Sequence, residues 1–571
     1  MAYDLLITNG TIYDGSGAPG FRGNVAVEGG KIVGVGKVSG PAKETINADG
    51  LAVSPGFVDV HTHYDAQVFW DSLLTSSCWH GVTTTVMGNC GLTFAPCKPK
   101  DRELLMQVFS RVEGLSMEVL QKGLPWDWTT FPEYIDAVER QRPALNLIPL
   151  MGHSAIRTYV MGKDAFEREA APAEIEQMQD LVRTGMRAGA CGLSVSRSPA
   201  QVGSHGEPMP GKVASHAELF ALCDTVAEFK RGFFEINPKI LIIDKDNKER
   251  EEDWQMLRTI AQRTKLPTTW AGVLQQWDQP GLWQEMLDKT DQALKEGLPI
   301  YPQVSCRAIM FRFTLENIAT LFDDLPHWKQ VNFEPLEKRK QLFRDPEVRK
   351  GLRYDVVDDT LPRVFSKRWD LMYVQEAQLE KNKKLEKKSI AEIARAMEKD
   401  VFDTFLDLAL EEDLKTNFIT PLINGEEDAV RTIIQHPASL VSLSDGGAHV
   451  QYICDTGYPS HMLGYWVRDK QALTMEKAIQ VLASTPARVL GLTDRGQIAP
   501  GKVADLVVFD PARIRALEPV TVRDLPGGNP RLFQGAEGIH HTIVNGTPLT
   551  KDGQHLGSYP GQVLRGAGPT I

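Results

Sequence analysis

A chain of 571 residues is longer than one hydrophobic core sustains, so a large domain and at least one smaller one are expected. Its 42% hydrophobic and 24% charged residues are ordinary for a soluble globular protein. The formal net charge of −11 argues against a nucleic-acid partner, and no apolar run reaches the roughly 18 residues of a membrane span.

The opening "MAYDLLITNG" carries Asp4 and no basic segment, so it does not read as a signal peptide. Residues 1–55 alternate and turn often: "DLLITNGTIYDGSG", "GNVAVEGGKIVGVGKV" and "ETINADGLAVSPG" are short strands separated by Asn-Gly, Gly-Gly and Asp-Gly turns. From 56 to 486 the texture changes. Eight short apolar runs, "GFVDVHTH", "GVTTTVMGNC", "ALNLIPLMGH", "ACGLSVSRS", "RGFFEIN", "LPTTWAGVLQ", "GLPIYPQVS" and "ASLVSLSD", alternate with helix-length segments such as "PAEIEQMQDLVRTGMRAG". That is the arithmetic of a TIM-like (β/α)8 barrel. A helical insertion around 330–435 is expected before the last strand, with a highly charged segment around 376–416. Within it, "SIAEIARAMEKDVFDTFLDLALEEDL" opens with Ser389 and Glu392 in capping-box spacing, and the face is read as solvated, not as a binding site. After residue 487 the β texture returns in "GKVADLVVFDP" and "HHTIVNGTPLTKDGQ", which predicts a small β-sandwich built from both termini. The seven cysteines, Cys78, Cys90, Cys97, Cys191, Cys223, Cys306 and Cys454, are scattered and odd in number. They predict reduced thiols in a cytoplasm and no disulfide framework.

In such a barrel the chemistry gathers at the C-terminal ends of strands. Side chains alternate along a strand, so His61 and His63 point one way and Thr62 the other. Two imidazoles on one face make either a clamp for a metal ion or a pair of ordinary hydrogen-bonded histidines. Asp445 ends the last run in "SLVSLSDGGAH", where a carboxylate can bind both metal and water. Cys90 ends the second run in "TTTVMGNCG", and a thiolate is a good zinc ligand. His153 ends the third run, as a substrate-orienting group or a support behind the ligands. Arg197 ends the fourth run, either to grip a substrate carboxylate or to pair with an acid such as Glu235. His449 either touches the site and its substrate or caps a helix.

Together "PGFVDVHTHYD", "GVTTTVMGNCGLTFAP", "GHSAIRTYVMG", "SDGGAH", "STPARVLGLTDRGQIAPGKVADLVVFD" and "TIVNG" resemble the amidohydrolase superfamily, and within it the N-acyl-D-amino-acid deacylase (D-aminoacylase-like) branch. The resemblance spans nearly the whole chain. It implies zinc at the barrel mouth, hydrolysis of an amide-type bond in a small N-acyl substrate, and Cys90 in the place that a carboxylated lysine takes elsewhere. The branch also carries metal-binding histidines after strands five and six, whereas this chain reads "RGFFEINPKI" and "LPTTWAGVLQQ" there. His327, in "DDLPHWKQ", reads as a loop residue. With those two ligands absent, Glu235 is a substitute at strand five or a buried acid, and one ion is expected in preference to two.

The expectation is therefore a hydrolase in which His61, His63 and Asp445 hold a divalent ion, Cys90 either completes the shell or sits beside it, and Asp445 serves as general acid–base. Two alternatives remain: a single-metal lyase or decarboxylase on the same scaffold, and a metal-free binding protein. Self-association is open through the β-sandwich or the charged insertion.

Overall fold

The structure is a computed structural model that describes residues 2–198, 201–203, 206–239, 248–316, 320–322, 325–358, 360–361 and 365–571. At its centre eight strands run parallel in chain order. They are Phe57–Asp59 with its continuation His61–Thr62, Val82–Met87, Asn146–Pro149 with Met151–Gly152, Gly192–Ser196, Phe233–Asn237, Thr268–Ala271, Ile300–Val304, and Leu440–Val441 with Leu443–Gly446. Leu443 pairs in parallel with His61, which closes the ring. All six residues of Val82–Met87 are buried, as expected of a parallel strand covered on both faces, and its β-branched "VTTTV" suits that pleated, packed position. Helices such as Pro172–Ala188 and Leu282–Lys295 surround the ring.

The two termini meet in one nine-stranded sheet. Tyr3–Ile12 pairs antiparallel with Phe21–Glu28 and parallel with Ala42–Asn47 and Ala52–Pro55, and the last of these pairs antiparallel with Leu506–Phe509. Its apolar faces enclose a small core of its own that includes Leu5, Ile7, Val25, Val27, Leu506 and Ile543. The C-terminal tail then returns to the barrel, where the Leu147 amide donates to the Gln562 carbonyl at 2.8 Å and Gly232 donates to Pro569 at 3.1 Å.

The insertion departs from the helical reading. Between the seventh and eighth barrel strands lies an antiparallel three-stranded sheet, Ile309–Phe313, Tyr373–Glu376 and Asn417–Ile423, with helices packed around it. Its core is aromatic, with Phe313, Phe322, Trp328, Phe343, Phe405 and Phe418 in one cluster. The Ser389/Glu392 capping box is present at the start of helix Ile390–Ala396. His327 lies not in a loop but in helix Pro326–Asn332, where its Nδ1 stands 2.6 Å from Asp355. Proline at the first helical turn, with no amide to leave unpaired, explains why "LPHW" starts a helix.

Candidate metal centre

Thr62 answers the alternation argument directly. Its hydroxyl donates to the Val86 carbonyl at 2.7 Å and meets Thr85 Oγ1 at 2.8 Å, anchoring the first strand to the second. His61 and His63 face the barrel mouth, with ring centroids 5.2 Å apart. The His61 ring is oriented by a chain of hydrogen bonds. Nδ1–H donates to Gln303 Oε1 at 2.6 Å, and Gln303 Nε2 donates to Thr269 Oγ1 at 3.1 Å. With Nδ1 protonated, the Nε2 lone pair is left for a ligand bond.

Cys90 reaches the same point by an unusual backbone. It sits at φ +53 between Gly88 at φ +84 and Gly91 at φ +69, and its amide donates to Glu235 Oε2 at 2.7 Å. Asn89 braces the turn by donating to the carbonyls of Thr62 and Val86. A non-glycine residue persists in this region only where its surroundings hold it. Asp445 is a second case, at φ +52. It is followed by Gly447 at φ +87, where a Cβ would stand 2.6 Å from the His63 carbonyl oxygen, so only glycine lets the eighth strand approach the first so closely.

The ligand-type atoms converge. One donor atom each from His61, His63 and Cys90 lies within 4.8 Å of the others. Cys90 Sγ is 3.5 Å from His61 Nε2, and Asp445 Oδ1 is 3.3 Å from His61 Nε2 and 3.7 Å from His63 Nε2. Ligands about 2.1 Å from a tetrahedral ion stand roughly 3.4 Å apart, so these separations fit one ion. The electrostatics agree. Burial first, and then the Glu235, Glu113 and Asp445 carboxylates, push the Cys90 thiol well up. Burial pushes Glu235 up to about 7, and raises Glu113 well above the carboxylate range with help from Asp445 and Asp65. Burial and the His61 and His449 rings hold His63 well below its usual range. Glu235 Oε1, His63 Nδ1 and both Glu113 oxygens are buried without a hydrogen bond among the described residues. Acids this buried and unpaired are what a cation would relieve.

The cluster forms the floor of a cavity of about 330 Å³. Val112, Leu274, Phe311, Leu422, Leu443 and Ile453 make apolar walls, while Arg111 and Lys329 bring positive charge and His449 an imidazole. Ile309, Phe311, Leu321, Lys329, Phe333, Leu422 and Ile423 all lie between the seventh and eighth strands, and three of them, Phe333, Leu422 and Ile423, belong to the stretch read as a solvated insertion.

The family model described as the amidohydrolase family matches residues 44–550. The chain belongs to that family. It is thus a metal-dependent hydrolase acting on carbon–nitrogen bonds other than peptide bonds. It is 24% identical to the D-aminoacylase of Alcaligenes xylosoxydans xylosoxydans, over 98% of this chain and 97% of that one. It is 26% identical to the N-acyl-D-aspartate deacylase of the same organism, over 98% and 95%. The crystal structure of N-acyl-D-glutamate deacylase from Bordetella bronchiseptica, complexed with zinc and a phosphonate inhibitor, superposes with a TM-score of 0.66 at 24% identity, over 99% of this chain and all of that one.

In this amidohydrolase two expected substrate groups are engaged elsewhere. His153 Nε2 lies 2.8 Å from Glu218, which also meets Arg157 Nε at 3.1 Å, and all three side chains are fully buried. Arg197 pairs with Asp253 at 3.0 Å, not with Glu235, and donates to the Gly211 carbonyl. Neither lines the cavity. A charge buried this deeply must be paired, and the nearest acid takes it before any substrate can. Glu235 lies on strand five, where it accepts from the Cys90 amide, and Thr269 lies on strand six, where it supports Gln303. Sequence reasoning missed Gln303, Thr269 and Glu113. Gln303 carries one faint signal, a polar residue inside the apolar run "IYPQVS".

Among the described residues no helix is long and apolar enough to cross a membrane.

Proposed function

We propose that this amidohydrolase removes the acyl group from an N-acyl amino acid, using one divalent ion, zinc, held by His61, His63 and Asp445, with Cys90 in or beside the shell. The observation that carries the reading is the convergence of His61 Nε2, His63 Nε2, Cys90 Sγ and Asp445 Oδ1 in one largely apolar cavity. The thiolate favours zinc over harder cations, and the relatives' names favour an N-acyl-D-amino acid. Bound there, the ion would supply Lewis acidity towards the amide carbonyl and towards water.

The remaining work falls to the chain. Gln303 holds His61 in one tautomer. Asp445, 23% exposed and turned towards the cavity, takes a proton from the attacking water and returns it to the departing amine nitrogen. The apolar walls exclude bulk water and receive the hydrophobic part of the substrate. Arg111 and Lys329 suit a carboxylate. Replacing either by alanine is expected to raise KM about ten- to a hundredfold with kcat little changed, since one charged hydrogen bond is worth about 1.5–3 kcal/mol. Steady-state kinetics check this, and an unchanged KM in both variants removes them from substrate binding.

Metal analysis of protein purified without chelators, joined to a screen of N-acyl D- and L-amino acids, tests the whole reading. The expected result is about one ion per chain and equal release of amine and carboxylic acid. Far less than one ion, or substrate consumed without those two products, overturns it.

A further inference from the structure

Glu113 closes the helix Arg102–Glu113 and is fully buried beside the cluster. A buried carboxylate ordinarily takes backbone amides or an arginine. Among the described residues no hydrogen bond reaches either of its oxygens. Each faces an imidazole instead: Oε1 lies 3.6 Å from His63 Nδ1, and Oε2 lies 3.7 Å from His449 Nε2. The backbone adds a tie, since the His449 amide donates to the Glu113 carbonyl at 2.6 Å. Gly114, at φ +68, ends the helix at this point, and a Cβ there would stand 2.8 Å from the Tyr452 ring. The turn therefore lies tight against the segment that carries His449. The two imidazoles differ in place: His63 is buried in the cluster, whereas His449 is 28% exposed and lines the cavity.

We propose that Glu113 is a positioning residue for both imidazoles at once, fixing His63 through Nδ1 as an Nε2 ligand and holding His449 through Nε2 against the substrate pocket. The inference rests on the metal reading above. A carboxylate behind a ligating imidazole sets its tautomer and raises its basicity, and loss of such a partner commonly lowers metal affinity 10- to 100-fold. The gaps of 3.6 and 3.7 Å need to close by only about 0.7 Å to become hydrogen bonds. His449 gains an anchor without which a side chain at φ +49 on a glycine-rich loop would be free to turn.

The isosteric Glu113→Gln variant tests this, with thermal melting to confirm the fold and Glu113→Ala as a second variant. Metal affinity, measured by competition with a chromophoric chelator, is expected to fall 10- to 100-fold, and the visible spectrum of the cobalt-substituted protein should shift. With the ion at saturation, KM should remain raised in Glu113→Gln, and the same change should raise it no further in a His449→Ala background, where the imidazole that Glu113 holds is already gone. Affinity within twofold of the parent together with an unchanged cobalt spectrum overturns the proposal while leaving the hydrolase reading intact. A parent protein that takes up no divalent ion overturns the metal reading, and this inference with it.

Discussion

Asp445→Asn protein should fold as the parent does and lose a factor of about a hundred or more in kcat/KM. Asparagine has the same shape, and with aspartate it is the side chain that best tolerates φ near +52, so the turn before Gly446 and Gly447 stands. The residue is partly exposed, so little stability rides on its charge. What disappears is a base within 3.3 and 3.7 Å of the two imidazoles, and with it the acceptor for the water's proton. The variant should still carry metal through His61, His63 and Cys90, although more weakly. Kinetics, melting temperature and metal content measured side by side decide the matter. Turnover within threefold of the parent would exclude Asp445 from the chemistry.

Stripping the ion is expected to abolish activity, and stoichiometric zinc should restore it where magnesium does not. Imidazole nitrogen and thiolate sulfur suit zinc, whereas magnesium prefers an octahedral shell of oxygens. His61→Ala should reproduce the loss irreversibly. That side chain carries the Nε2 shared by the 3.5 Å contact to Cys90 and the 3.3 Å contact to Asp445, and it engages Gln303 on its other nitrogen. Its removal leaves Gln303 Oε1 without its donor in a fully buried place. A moderate fall in melting temperature should therefore accompany the loss of metal. Activity that survives exhaustive chelation, with metal analysis confirming removal, would exclude a metal-dependent mechanism.

Much of this architecture could be read along the chain because its signals are local. A parallel strand buried on both faces must be a short apolar run, so "GVTTTVMGNC" and "GLPIYPQVS" announce themselves, and in-strand alternation puts His61 and His63 on one side. Ser389 and Glu392 are three residues apart and satisfy each other within one helical turn. The insertion was harder to read. Its charged exterior is visible in sequence, but the phenylalanines and tryptophan of its core are spread over roughly a hundred residues without one period, since they come from both strands and helices.

The partners of the charged side chains were not readable at all. Arg197 sits at a strand end, where a substrate clamp belongs, yet Asp253 of the helix Lys248–Thr264 packs against it. His153 meets Glu218 from 65 positions away. The residues that aim the ligands, Gln303 and Glu113, carry no motif, because any polar side chain of the right length would serve if the fold delivered it there.

The order of strands, the His-x-His pair, the strand-end cysteine and the last aspartate were thus set by the sequence alone, through periodicities of two and of 3.6 residues that need no knowledge of neighbours. Only the tertiary structure decided which groups stay open to a ligand and which are consumed by each other. A bond such as His61–Gln303 spans 242 positions and exists solely because barrel closure brings the first and seventh strands around one mouth.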